Sequence, residues 1–249
     1  MPAALARLLA ALLLPLALAS CVLVPGKFTS TLTINADRSF AFTYAGEVLA
    51  IDLAKDLKAL DKTGAPDDDA KSERTSFQAT KPAEGAADAD ANADTERRNA
   101  AIAQALSREQ GYRRVQYLGG GRFLIDYAVR GRLDHAFVWP YNLDAEIVFP
   151  FLSVELRANG AVRVKAPAFS VEGSKQAGQM GPMGSMPGAD LSTKLDGVFT
   201  LDTDAEIVSQ NEEDGVQMVG GRKRITWRAT PALKSAPTAV LKLNPIPAF

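Results

Sequence analysis

Two of the side chains most used in protein chemistry are almost missing from these 249 residues, which contain one cysteine, Cys21, and one histidine, His135. With a sole cysteine no disulfide can form within the chain even in an oxidising compartment, so stability must come from packing. A typical structural zinc site, which needs several thiolate or imidazole ligands, is excluded for the same reason. Asp134 precedes His135, but neighbours along a strand point to opposite faces, so the two make no catalytic dyad and His135 reads as a surface or satisfied histidine. An excess of charge is lacking too. The formal net charge is −1, which offers no electrostatic footprint for gripping nucleic acid. There is no G-x-S-x-G elbow, no phosphate-binding glycine loop followed by Lys-Ser/Thr, and no dinucleotide fingerprint. These absences point away from an enzyme and imply no cofactor.

What the chain does have begins at its start. Residues 1–20 read as an export signal: Arg7 gives a short positive start, Leu8 to Leu18 an apolar core interrupted by Pro15, and Ala19 and Ser20 small residues at the cut. Extended through Val24, the run reaches about 17 apolar or small residues, the lower limit for a bilayer span, and Pro15 weakens it as a helix. The sequence Leu18-Ala19-Ser20-Cys21 resembles the lipobox of bacterial lipoproteins. That resemblance implies diacylglycerol on the Cys21 thiol and cleavage between Ser20 and Cys21. A burial of about 0.8 kcal/mol per methylene makes one chain a reversible anchor and two or three a stable one. Val22 stands where an inner-membrane retention signal often has Asp, so the resemblance implies the outer membrane, facing the periplasm. Residues 21–26 are then expected to be a lipidated tether.

The rest is expected to form one α+β domain over residues 27–243, with residues 244–249 as a C-terminal tail. Between 27 and 48, Phe28, Leu32, Ile34, Phe40, Phe42 and Tyr44 fall on even positions, with Thr29, Thr31, Thr33 and Thr43 opposite. This predicts a hairpin with one buried face, turning at Ala36-Asp37-Arg38. Leu49, Leu53, Leu57 and Leu60 recur at helical spacing and predict a short helix. Residues 63–93 hold Phe77 as their one large apolar side chain and predict a disordered acidic insertion. Asp67-Asp68-Asp69 lacks the alternating carboxylates and central glycine of a calcium loop. A second helix is expected from Asp94 to Gln110, capped by Asp94 or Thr95, ended by Gly111, with Ile102 and Leu106 buried. Val115 and Tyr117, then Gly119-Gly120-Gly121, then Phe123, Ile125, Tyr127 and Val129 predict another hairpin.

The sharpest register prediction lies between 151 and 167. Val154 and Leu156 pair in phase with Val162 and Val164 if the turn is Ala158-Asn159-Gly160, which sets Glu155 opposite Arg163. Residues 171–190 form a Gly- and Met-rich loop without strand or helix period. Within it Met180, Met183 and Met186 are a candidate soft-ligand set for Cu(I), opposed by the flexible Gly and Pro between them. Strands resume at 197–202, 223–228 and 238–243, which makes the sheet predominantly antiparallel, with two helices. Arg222, Lys223 and Arg224, with Arg228, could meet lipid head groups beside the anchor, or be the wet side of an edge strand. Phe249 follows Pro245 and Pro247, which argue against the closing strand of a barrel.

The order of elements, with Phe199-Thr200-Leu201-Asp202-Thr203-Asp204-Ala205-Glu206-Ile207-Val208-Ser209, a Gly-rich turn and Ile225-Thr226-Trp227, resembles the LppM-like domain of bacterial envelope lipoproteins. The resemblance covers about the first 35 mature residues and Gly111 to Leu243. It implies a fold similar to the Bet v 1 and START type, a curved antiparallel sheet around a helix with an apolar groove that accepts lipid. Phe42, Tyr44, Phe123, Tyr127 and Trp227 are the candidate groove residues. Phe28, Phe40, Ile125 and Phe199 would join them in groove or core, and alternating apolar positions are first of all core positions. The expectation is a non-enzymatic, membrane-anchored envelope lipoprotein holding a lipid or other apolar ligand. The alternatives are an assembly lipoprotein that engages another envelope protein, and a Met-based copper binder.

Overall fold

The computed structural model describes residues 21–52, 84–140, 150–157, 160–173 and 191–245. The first two strands, β1 (Cys21–Ile34) and β2 (Ser39–Asp52), pair Ile34 with Phe40, Leu32 with Phe42 and Ser30 with Tyr44, the register that the even-numbered apolar residues require. Arg38, at φ 75°, closes the turn, its N–H donating to the Asn35 carbonyl at 2.9 Å. The hairpin is longer than expected at both ends. Residues 21–26 are not a tether but the start of β1, because Cys21 through Pro25 find backbone partners in Val48 to Asp52. Leu49 belongs to β2 rather than to a helix; Leu53, Leu57 and Leu60 lie outside the described residues. Between Pro25, which has no N–H to give, and Phe28 the register shifts, and β1 leans on Gly46 so closely that a Cβ there would sit 2.5 Å from the Phe28 Cα.

Helix α1 (Glu84–Leu106) starts ten residues before the expected Asp94, inside the segment read as disordered. Its alanines favour helix. Asp94 is no cap but sits mid-helix, ion-paired with Arg97 and Arg98 at 3.3 and 3.2 Å. The helix stops at Leu106 rather than Gln110, and Glu109 closes a tighter last turn on the Leu106 carbonyl. Leu106 and Ala103 are buried and Ile102 partly so.

Strands β3 (Tyr112–Tyr117) and β4 (Arg122–Arg132) pair Tyr117 with Phe123 and Val115 with Ile125 across the three glycines. Then come β5 (Phe137–Trp139), β6 (Leu152–Leu156) and β7 (Ala161–Lys165), with Val154 opposite Val164 and Leu156 opposite Val162. Gly160, at φ 78°, takes the left-handed conformation foreseen for it. Glu155 does stand opposite Arg163, but its ion pair is with Arg157, at 3.1 Å. The chain ends with β8 (Asp196–Thr203), β9 (Glu206–Gln210), β10 (Gln217–Val219), β11 (Arg222–Ala229) and β12 (Thr238–Lys242).

These strands make two sheets, ordered β10-β11-β8-β1-β2-β4-β3 and β5-β6-β7-β12-β9. The fold is α+β and predominantly antiparallel; β1 with β8 is the one parallel pair among the described residues. Among the described residues the strands form two sheets rather than a single one. The core lies between the two sheets, where Phe42 and Tyr44 of the first meet Trp139 of the second at ring separations of 5.3 and 4.6 Å. Of α1, only Ala103 enters that core, and the helix lies against β3. Two sheets bury the alternating faces of every long strand, a larger apolar area than this Ala- and Asp-rich helix could cover.

Candidate functional site

The five side chains expected to line a groove are all buried, and the fold divides them among three places. Phe42, Tyr44 and Tyr127 crowd round Trp139, the last at 5.3 Å from it. Phe123 packs on Tyr117, 5.0 Å away and near the foot of α1. Trp227 stacks on Phe199 at 5.5 Å on the far flank and donates its indole N–H to the Asn211 side chain at 3.2 Å. Phe28, the one aromatic ring of β1, is stacked between Tyr44 and Phe169. Every ring thus has another ring as its neighbour. Burial holds the Tyr44 hydroxyl far above its ordinary pKa, with repulsion from Glu47 adding to it, and lifts Tyr112 and Tyr127 in the same direction.

The basic cluster is placed differently from the expectation. β1 runs parallel to β8, and β11 returns antiparallel to it, pairing Lys223 with Thr203 and Ala229 with Gly197. Arg222, Lys223 and Arg224 therefore lie at the Ile34 end of the sheet, while Cys21 is at the other end of a 14-residue strand. At about 3.3 Å per residue the two ends are roughly 40 Å apart, so the cluster does not lie beside Cys21.

Nor are these cations free. Arg222 donates to Asp202 and, at 2.7 Å, to Asn35 Oδ1, while Arg224 reaches the second oxygen of Asp202 at 3.0 Å. Lys223 donates to the Ala205 carbonyl at 2.9 Å, and Asp204 accepts from the Ala36 amide at 2.7 Å. Burial works against the charged Asp202 carboxylate, yet the hydrogen bonds and charges of Arg222 and Arg224 outweigh it and hold its pKa below the ordinary value. This is a clamp tying β8, β11 and the β1–β2 turn together. Arg38 adds to it from inside, donating to the carbonyls of Asn244 and Leu133 at 2.9 and 3.2 Å.

A second polar knot fixes α1. Glu96 accepts from the Tyr117 hydroxyl at 2.9 Å and from the Gly120 amide at 3.2 Å, and Gly121 donates to the Tyr117 oxygen at 3.0 Å. Three successive positive φ values, 83°, 59° and 74° at Gly119 to Gly121, turn those amides toward the helix. Sequence reasoning found the glycines as a turn but had no signal for their carboxylate partner.

His135 is exposed, and Asp134 pairs with Arg132 at 3.3 Å. Among the described residues no group of three or more His, Cys, Asp or Glu is placed to hold a metal ion. No helix among them is long and apolar enough to cross a membrane, which leaves open crossing by strands. Ser20, Met180, Met183, Met186, Asp67 to Asp69 and Phe249 lie outside the described residues. So does the Cys21 side chain, although its backbone starts β1.

The strands and helix define a two-sheet α+β domain. No protein-family model matches the sequence, and no curated protein matches it. Among solved structures it is similar to the NMR structure of the folded domain of LppM from Mycobacterium tuberculosis. The match has 13% identity and a TM-score of 0.30, and covers 90% of this chain and 93% of that one. A likeness of that size carries no activity or ligand to this chain, and the fold assignment stands on the strands themselves.

Proposed function

We propose that the protein is a non-enzymatic envelope lipoprotein, held by diacylglycerol on Cys21 after removal of residues 1–20, whose domain works through its surface by engaging another envelope protein. The outer membrane, facing the periplasm, is the placement that Val22 favours. The observation that carries the surface reading is the closure of the aromatic side chains on one another: Phe42, Tyr44, Phe123, Tyr127 and Trp227 are each no more than 8% exposed and ring-packed. A strand that begins at Cys21 supports a domain kept close to the bilayer, with its Ile34 end turned outward. Growth with a clickable fatty acid tests the anchor: the natural protein takes up label and Cys21→Ala does not. Equal labelling of the two, or labelling of neither, refutes it. Crosslinking in intact cells should capture one stoichiometric envelope partner.

A second reading, an apolar ligand held inside, rests on one observation. The Trp139 indole N–H is buried and has no hydrogen-bond partner among the described residues, with Tyr112 beside it but short of hydrogen-bond geometry. An acceptor atom on a ligand would satisfy it. Native mass spectrometry after gentle extraction tests this: a co-purifying lipid supports it, and a bare chain mass counts against it.

A further inference from the structure

Five large apolar side chains stand exposed among the described residues, and four of them, Val208, Val216, Met218 and Val219, fall within one short stretch; Met218 is 66% exposed. This stretch contains β10, which ends the seven-stranded sheet. One side of β10 pairs with β11, and no strand among the described residues meets the other. Natural sheet ends are guarded by lysine, proline or a covering element. The opposite end of this sheet obeys the rule, since α1 lies against β3. β10, with the sequence Gln217-Met218-Val219, is short but carries no lysine or proline, and no element among the described residues covers its free side. It is also held firmly: Gly220 and Gly221, at φ 58° and 77°, make a two-residue hairpin turn into β11, whose Ile225 and Trp227 are anchored in the core.

Three carboxylates precede this edge, while the cations Arg222, Lys223 and Arg224 stand across the ladder on its paired side. Glu212, Glu213 and Asp214 lead into β10, and none has an ion-pair partner among the described residues. The cations nearest in sequence are engaged elsewhere, Arg222 and Arg224 with Asp202 and Lys223 with the Ala205 carbonyl. Burial holds the Glu212 carboxyl above its ordinary pKa, and the charges of Asp214 and Glu213 push the same way.

We infer that the open edge of β10 is a docking strand for an extended segment of a partner protein in which apolar and basic residues alternate. The segment would add a strand beside β10, its backbone bonding to the free edge. Its apolar side chains would cover Met218 on one face of the strand, and its cations would face Glu212, Glu213 and Asp214. A second copy pairing edge to edge fits less well, because it brings the same acidic loop to that edge. The inference deepens the reading of a domain that works through its surface, and it places that surface at the end of the sheet away from Cys21.

The test uses the full chain in detergent micelles and two fluorescein-labelled octapeptides, one alternating Lys and Val and one alternating Glu and Val, read by anisotropy. The Lys-Val peptide should bind saturably, about tenfold or more tighter than the Glu-Val peptide, as two or three opposite-charge cross-strand pairs would give. Met218→Lys should weaken it by a similar factor while leaving the thermal midpoint and tryptophan fluorescence unchanged. Absence of saturable binding, equal affinity for the two peptides, or indifference to Met218→Lys each overturns the inference. So does a concentration-dependent dimer in sedimentation that Met218→Lys abolishes, since the edge would then serve a second copy. Fatty-acid labelling of Cys21 in the same preparation is read separately, so failure of the anchor and failure of the docking strand are distinguishable.

Discussion

Replacing Asp202 by Asn removes the negative charge from the clamp while keeping its shape. The Asp202 side chain is 10% exposed, but Arg222 and Arg224 are 32% and 41% exposed, so solvent screens part of the interaction. Hydrogen bonds to charged groups are worth about 1.5–3 kcal/mol each when well enclosed. Discounting for the half-open guanidiniums leaves about 2 kcal/mol for the whole clamp. The pH dependence follows from the sign of the shift. Asp202 titrates lower in the folded chain than its ordinary 3.8, so the folded state holds the ionised form more firmly than the unfolded state does. The stabilisation is complete above that ordinary value and is lost as pH falls from it toward the lower folded value. Urea unfolding of wild type and Asp202→Asn should therefore differ by about 2 kcal/mol at pH 7, with the gap narrowing steadily below pH of about 4. A gap under about 0.5 kcal/mol at pH 7, the level of an isolated surface pair, would refute the clamp, as would one that does not shrink with acid.

Gly197→Ala should destabilise the domain by about 1–3 kcal/mol, because the new Cβ would lie 2.3 Å from the ring of Phe28, which is itself stacked on Phe169 at 4.4 Å; thermal or urea unfolding measures it. Glu96→Ala should leave the two sheets intact but raise amide exchange along α1 and at Gly120, since it cuts the helix from the glycine turn; unchanged exchange would show that Ile102, Ala103 and Leu106 hold the helix unaided. Ultraviolet titration should show Tyr44, Tyr112 and Tyr127 resisting ionisation past pH 10. Their folded pKa values are raised, so the stability they lend is whole below 10 and falls as pH climbs above it, and alkaline unfolding and phenolate absorbance should rise together.

Local pattern made the hairpins legible. The phase of Leu32, Ile34, Phe40 and Phe42 gave the β1–β2 register, and Val154, Leu156, Val162 and Val164 gave that of β6–β7, because a strand with one buried face cannot slip by one residue. The same pattern underestimated the first hairpin, since residues 21–26 read as a lipidated tether. It also missed β10, whose three residues are too few to show a period. Composition misjudged residues 84–93, where alanine content outweighed the scarcity of large apolar side chains.

By itself the sequence determined the alternating faces and most of the turns, which depend on residues close together in the chain. Tertiary structure decided what depends on distant segments meeting. It joined β1 to β8 in parallel across more than 160 residues of chain, and so carried Arg222 and Arg224 to Asp202 and away from Cys21. It also set two sheets face to face, which turned a row of candidate groove residues into packed core and left β10 at a sheet end. Alternation fixes which face of a strand is apolar, but which surface covers that face is settled only when the whole apolar area is buried at once.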